Sequence, residues 1–288
     1  MPDPKSAKSI QVGDLEVAFR ESGRGDPVVL LHGWPFTSLT WRKILPGLSA
    51  TFRCIAPDLL GAGGTQGDPG RDHGIGAQRD LVIGFLDALG LSRVTLVGHD
   101  SGGTTAREVA VARPERIARL VIADTEVPGH RPALVVPLQW LTRRTNRLVL
   151  FGWAARSRRF ARSPLALGRI FSDVSTFDFD EFFHATLEPI ARSETLRRGT
   201  LRFAQDFDFG QVDRLRDSYG VLTMPTQVLW GEDDRTFPPA QGRRLRDMLP
   251  SPVRFDIVPR AGMLVHEERP EAWVDAVRSF LEETPVER

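Results

Sequence analysis

The stretch Val94-Thr95-Leu96-Val97-Gly98-His99-Asp100-Ser101-Gly102-Gly103 decides the fold. Its β-branched, apolar opening reads as a strand, and Thr104 to Ala112 beyond it reads as a helix. Strand, glycine-flanked turn, helix is the setting of a nucleophile elbow, in which a G-x-S-x-G turn lifts its middle residue clear of a sheet. Read from Gly98 to Gly102, the middle residue is Asp100. Centring on Ser101 fails, because His99 would then stand where the first glycine belongs. The difference is chemical: a carboxylate that attacks carbon leaves an alkyl ester on the protein, whereas a serine leaves an acyl ester. The plainer role for an Asp here is a helix N-cap.

Outward from the elbow, strand and helix patterns alternate. Ser9–Val12 and Leu15–Glu21 read as a hairpin around Gly13-Asp14, and Pro27–His32 as a buried strand. Trp41–Leu48 reads as a helix and Phe52–Pro57 as a strand leading into the Gly-rich loop Gly61 to Gly70. Ile75–Leu89 has helical spacing and stops at Gly90. Ile117–Asp124, Pro225–Gly231 and Val253–Val258 read as strands, with amphipathic helices at Gln241–Met248 and Glu268–Glu283. This alternation predicts a mostly parallel α/β sheet with helices on both faces. It breaks between Glu126 and about Val221, where helical spacing and prolines replace it.

The expected organisation is therefore a core in two parts, residues 1–126 and 222–288, with a helical insertion at 127–221 capping the strand ends. Residues 127–172 carry nine arginines (131, 143, 144, 147, 156, 158, 159, 162 and 169) and no acidic residue, in a chain whose net charge is +1. A solvated helical face with arginine stems lying along apolar neighbours explains this stretch. Contact with a membrane surface, an anionic substrate or a second copy in a homodimer are the other readings it allows.

With 41% hydrophobic and 26% charged residues the chain has the composition of a soluble globular protein, and its balance of charge points away from nucleic acid. Cys54 is the one cysteine, so no internal disulfide forms; it reads as a buried thiol on a strand. The polar start Met1-Pro2-Asp3-Pro4-Lys5 lacks the apolar core of a signal peptide, and no apolar run is long enough for a transmembrane segment. A cytoplasmic protein is the expectation. No His-x-x-x-His or paired-cysteine spacing calls for a metal, and no phosphate-cradling loop calls for a cofactor.

With these pieces in order, the chain resembles the α/β-hydrolase superfamily over nearly its whole length. His32-Gly33-Trp34-Pro35 is similar to the oxyanion loop after the third strand, and Asp58-Leu59-Leu60-Gly61 to the loop after the fourth. Gly231-Glu232-Asp233-Asp234 is similar to the strand end that carries an acid, and Ala261 to Pro270 to the loop that carries a histidine. An Asp at the elbow resembles epoxide hydrolases, haloalkane dehalogenases and haloacetate dehalogenases. The resemblance implies Asp100 as nucleophile, with the backbone N–H groups of Trp34 and Ser101 as oxyanion hole. It implies Asp234, or Glu126 just past a strand, as the acid that orients a histidine.

The histidine departs from the pattern. Where the family has Ala-Gly-His, this chain reads Ala261-Gly262-Met263, and a thioether cannot take a proton from water. His266, three residues on, is the candidate replacement base. His32 would support the oxyanion loop, and His32, Tyr219 and Met263 would face the substrate pocket. His73 and His184 have no motif around them and read as surface residues. Ser101 stands where the dehalogenases carry a halide-binding Trp, which sets an epoxide slightly ahead of a carbon–halogen bond. The leading expectation is a hydrolase that opens such a bond of a small apolar molecule through an aspartyl ester. Two further readings stay open: a non-hydrolytic cyclase, lyase or isomerase on the same scaffold, motivated by Met263, and a catalytically silent ligand binder.

Overall fold

Short apolar runs with no polar face build the central strands of the sheet, which are buried on both sides. The strands are β1 (Lys8–Val12), β2 (Leu15–Ser22), β3 (Pro27–Leu31), β4 (Arg53–Pro57), β5 (Val94–His99), β6 (Ile117–Ala123), β7 (Thr226–Gly231) and β8 (Val253–Val258). The computed structural model describes residues 7–68, 70–133, 135, 139, 157–164, 166–250 and 253–286. The eight strands form one sheet in the order β1-β2-β4-β3-β5-β6-β7-β8. β1 pairs antiparallel with β2, and β2 with β4; the remaining neighbours are parallel. This is the mostly parallel α/β-hydrolase architecture expected from the sequence.

The period of two along each strand sorts side chains to opposite faces. Val29, Leu31, Leu96, Leu120, Ile122 and Val228 point into one core with the Ile75–Ala88 and Ser101–Ala112 helices. Val28, Leu30, Val97, Val121 and Leu229 point into the other, against Trp41, Trp273 and the Pro270–Glu283 helix. Truncating a fully buried leucine such as Leu96 to Ala would cost about 2–5 kcal/mol. Cys54 lies buried on β4, where burial pushes its thiol up to about 12.

Two helices expected as continuous are each split. Trp41–Leu48 is a 3₁₀ turn, Ser38–Lys43, followed by a short helix, Leu45–Leu48. The C-terminal helix is preceded by a separate turn, Val265–Glu268, and starts at Pro270. Both breaks fall beside a proline, which has no N–H to continue the ladder but fits the first turn of a new helix.

The chain runs from β3 to β4 on one side and returns to β5 on the other. Such a switch point opens a crevice at the carboxyl end of β3. Among the described residues between β6 and β7 there are helices and no strands. This segment reaches that end of the sheet: the Trp34 indole N–H donates to Thr200 O (2.8 Å), and Met263 N–H donates to Ile170 O (2.8 Å). Phe171, Phe179 and Phe182 pack with Phe36 and Leu264 from the loops after β3 and β8. Of the nine arginines, 143, 144, 147 and 156 lie outside the described residues. Arg131 pairs with Asp213 and Arg158 with Asp180, acids supplied from beyond the arginine-rich stretch. No helix among the described residues is long and apolar enough to cross a membrane.

Candidate active site

The turn after β5 holds Asp100 at φ 53° and ψ −131°, a conformation non-glycine residues avoid. The surroundings over-determine it. Asp100 N–H meets the carbonyls of Ala123 and Asp124 at the end of β6, both at 3.2 Å. A side chain at Gly102 would collide with the carbonyls of Leu31 and His32, so the helix can begin this close to β3 only with glycine there. A Cβ at Gly33 would collide with the Asp100 side chain itself, so the loop after β3 can close over the carboxylate.

That loop supplies donors. Trp34 N–H reaches Asp100 Oδ2 at 2.8 Å and Ser101 Oγ at 3.0 Å. The Ser101 backbone N–H also lies near the Asp100 carboxyl and lowers its pKa. The two amides expected as an oxyanion hole thus converge on one oxygen-bearing group, the carboxyl of Asp100. His32 fixes the loop from below. Leu59 N–H donates to its Nε2 (2.9 Å), so the ring proton sits on Nδ1 and donates to Gly33 O (3.0 Å). Burial holds this imidazole below its ordinary pKa, although Asp58 opposes that. Asp58 ties the same loops together, accepting from Ser38 N–H (2.7 Å) and Gly64 N–H (2.9 Å).

Glu126 lies beside Asp100. Thr104 donates to Glu126 Oε2 at 2.7 Å, and Thr125 Oγ1 lies 3.1 Å from the same oxygen while donating to Asp100 O at 2.6 Å. Burial first, and then the neighbouring Glu126 carboxylate, hold the Asp100 carboxyl well above the usual carboxylate range; the Ser101 and Trp34 amides pull it back down. Beneath the pair lies a fully buried arginine. Arg107 donates to Glu126 O (2.6 Å), to Thr104 Oγ1 (2.8 Å) and to Tyr219 Oη (2.6 Å). Sequence reasoning missed Arg107, Thr104 and Thr125. The available signal was a charged residue on an otherwise apolar helix that follows the elbow.

The other expected residues fall elsewhere. Asp234 accepts from Thr236 N–H (2.7 Å) and Phe237 N–H (2.9 Å), and its side-chain neighbour is Asp124, with no histidine bonded to it. Asp124 accepts from Gly231 N–H (2.8 Å). Neither Asp124 Oδ2 nor Asp234 Oδ2 has a donor, and one proton shared between them satisfies both. Burial pushes Asp234 up to about 7, and burial together with Asp234 raises Asp124 well above the carboxylate range.

His266 is fully buried behind the elbow. Its Nε2 lies 2.8 Å from Thr40 Oγ1, and its ring stacks on Trp41 (centroids 4.7 Å) and against His99 (4.6 Å). No hydrogen bond joins it to Asp100, Asp234 or Glu126 among the described residues, because the Val265–Glu268 turn carries it to the Trp41 side of the sheet. Burial, and the nearby His99, Arg42 and Lys43, hold its pKa well below the ordinary histidine value. His99 is likewise buried and pushed down to about 4 by burial, with its Nε2–H donating to Met263 O (2.9 Å). His73, expected at the surface, is buried against Arg71 O, whereas His184 is exposed beside Glu188.

A small apolar pocket, with a cavity volume of about 20 Å³, adjoins the elbow. Trp34, Phe36, Leu59, Leu60 and Phe203 line it, and so do His32 and Ser101. Tyr219 and Met263, expected to face substrate, are not in its wall. The Tyr219 hydroxyl is taken by Arg107, and Met263 is held through its backbone by Ile170 and His99. Among the described residues no cluster of His, Cys, Asp or Glu has the make-up of a metal site.

Residues 26–270 match the family model described as alpha/beta hydrolase fold. The chain belongs to this family. It is 29% identical to 2-hydroxy-6-oxo-2,4-heptadienoate hydrolase of Pseudomonas putida over 293 residues, covering 95% of each chain. It is 26% identical to epoxide hydrolase 3 of Xenopus tropicalis, covering 95% of this chain and 77% of that relative. Among solved structures, a thermophilic esterase from Thermogutta terrifontis superposes with a TM-score of 0.79 at 27% identity, covering 97% of this chain and 99% of the esterase. Family and relatives together make this chain a hydrolase in the general sense.

Proposed function

We propose that this hydrolase opens a C–O bond of an epoxide, or a carbon–halogen bond, in a small apolar molecule through an ester on Asp100. The observation that carries the reading is the placement of the Asp100 carboxyl on the positive-φ elbow, with Trp34 N–H at 2.8 Å from Oδ2. Trp34 N–H holds Oδ2, and in this reading Oδ1 attacks carbon. The same amides would then stabilise the oxyanion that forms when water adds to the ester. Residues 127–221 serve as a cap in this reading: Thr200 and Phe203 close one side of the apolar pocket, which suits a substrate that must be kept from bulk water. The kinship with an epoxide hydrolase at 26% identity agrees with this reading.

Met263 cannot serve as base, and His266 has its Nε2 committed to Thr40 in a site that favours the neutral ring. A non-hydrolytic route, in which Asp100 works only as acid or base, is the reading favoured by that missing histidine. Intact-protein mass spectrometry with styrene oxide, 1,2-epoxyhexane and 1-bromobutane separates the two. Product from the wild type, and neither product nor adduct from Asp100→Asn, is the expected result. A rearranged or elimination product that contains no added water, with no adduct on rapid quenching, would favour the non-hydrolytic route.

A further inference from the structure

The wall of the pocket beside the elbow is mostly carbon, so its few polar side chains decide what it can hold. On the core side, three of them are spent on the backbone. His32 accepts from Leu59 N–H (2.9 Å) and bonds Gly33 O (3.0 Å). Gln78 accepts from Leu60 N–H (2.9 Å) and donates to Leu60 O (3.0 Å) and His73 O (3.2 Å). The Trp34 indole donates to Thr200 O (2.8 Å). Ser101 differs from them. Its Oγ accepts from Trp34 N–H at 3.0 Å, and among the described residues its O–H has no acceptor. A buried hydroxyl with an unspent hydrogen is a donor for an acceptor that comes from outside the protein. The Trp34 N–H forks between this oxygen and Asp100 Oδ2 (2.8 Å), so hydroxyl and carboxyl meet around one nitrogen.

We propose that the Ser101 hydroxyl binds the leaving atom of the substrate, and that this atom is oxygen rather than halogen: the site takes a small epoxide. The inference rests on the aspartyl-ester reading. The cavity beside Ser101, about 20 Å³, has room for one water-sized group, which suits an epoxide oxygen; the carbon chain lies toward Thr200 and Phe203. Asp100 Oδ1 bonds to the epoxide carbon as the ring C–O bond breaks and its electron pair stays on the ring oxygen. Ser101 keeps its proton and holds that oxygen by a hydrogen bond that strengthens as charge develops. The oxygen takes a proton from water, and the hydroxide that remains adds to the Asp100 ester carbon. The ester C–O bond breaks, the second product oxygen takes the proton of the added hydroxide, and the Asp100 carboxylate returns. The sum is epoxide plus water to diol. A bromine leaves as a stable anion and accepts hydrogen bonds more weakly than an alkoxide, so it gains less from this donor.

The test compares the two leaving atoms. Wild type, Ser101→Ala and Ser101→Thr are mixed with styrene oxide and, separately, with 1-bromobutane. Samples are quenched over time for intact mass and product, and circular dichroism checks that each variant folds. Ser101→Ala is expected to slow attack on styrene oxide about 10²-fold. Its loss on 1-bromobutane should be at least about tenfold smaller, and Ser101→Thr, which keeps the hydroxyl, should recover part of the loss on the epoxide. A role limited to accepting from Trp34 N–H would slow both probes alike. Equal slowing of both, an unchanged rate on styrene oxide in folded Ser101→Ala, or no recovery in folded Ser101→Thr would overturn the proposal while leaving the Asp100 ester intact. So would a wild type that reacts with 1-bromobutane and not with styrene oxide. No adduct or product from the wild type with either probe would overturn the ester reading, and this inference with it.

Discussion

Two buried carboxyl pairs stand side by side at the carboxyl ends of β5, β6 and β7, and they are built for different ends. Asp124 and Asp234 are sealed from solvent, and their outer oxygens are spent on the backbone amides of Gly231, Thr236 and Phe237. They close the turn after β7 against β6 and are not in the wall of the pocket beside the elbow. Asp100 and Glu126 are an Asp–Glu pair whose partners are hydroxyls and the Trp34 amide of the loop after β3, with Trp34 and Ser101 in the wall of the apolar pocket. Burial raises Asp100 and Asp124 alike; the hydroxyl and amide donors around the elbow and the pocket next to it are what separate the pairs. Buried acids are therefore not evidence of catalysis until their neighbours are examined.

Breaking the open pair should give the largest effect. Asp100→Asn is expected to lower turnover of styrene oxide by at least about 10³-fold, since no other carboxylate sits on the elbow, with little change in melting temperature. Breaking the sealed pair should reverse that pattern. Asp234→Ala leaves the amides of Thr236 and Phe237 without an acceptor and should cost about 2–4 kcal/mol of stability in urea denaturation, while kcat per folded molecule stays within a few-fold. A loss of kcat as deep as that of Asp100→Asn would show that Asp234 acts in the reaction.

A subtler change sharpens the contrast through pH. The folded state holds the proton of Asp124 and Asp234 more tightly than the unfolded chain does. Stability from this pair is therefore present at low pH and lost as pH rises from the ordinary carboxylate range to about 7. Asp124→Asn keeps an acceptor for Gly231, supplies an N–H to Asp234 and tolerates the φ of 35° at this position. It should gain on the order of 1 kcal/mol over the wild type at pH 8, with no gain at pH 4, by urea denaturation at both values. The smallest effect on chemistry belongs to His266→Gln, which should leave kcat within a few-fold but lower the melting temperature through lost packing on Trp41.

The sheet was legible because each buried strand is a short apolar run, and because the elbow's residues are neighbours in sequence. Asp100, Ser101 and the glycines around them place one another locally, and the Gly33-Trp34 loop follows from its position after β3. The partners of the acids were not legible. Whether Asp234 meets a histidine or Asp124 depends on a contact spanning 110 positions of the chain, and a three-residue step from Met263 to His266 turned the imidazole to the opposite side of the sheet. Arg107 hid for a related reason: a charged residue in a helix pattern reads as exposed, and only the fold shows that Thr104, Tyr219 and Glu126 satisfy it.

The central claim, an ester at Asp100, is tested most directly by turnover in ¹⁸O-labelled water followed by peptide mass spectrometry. Water that attacks the Asp100 ester carbon leaves its oxygen in the carboxylate, so repeated turnover should enrich the peptide containing Asp100 in ¹⁸O, and the first-turnover diol should carry unlabelled oxygen from the protein. Diol labelled in the first turnover, with an unlabelled Asp100 peptide, would mean that water attacks the substrate directly and would contradict the account.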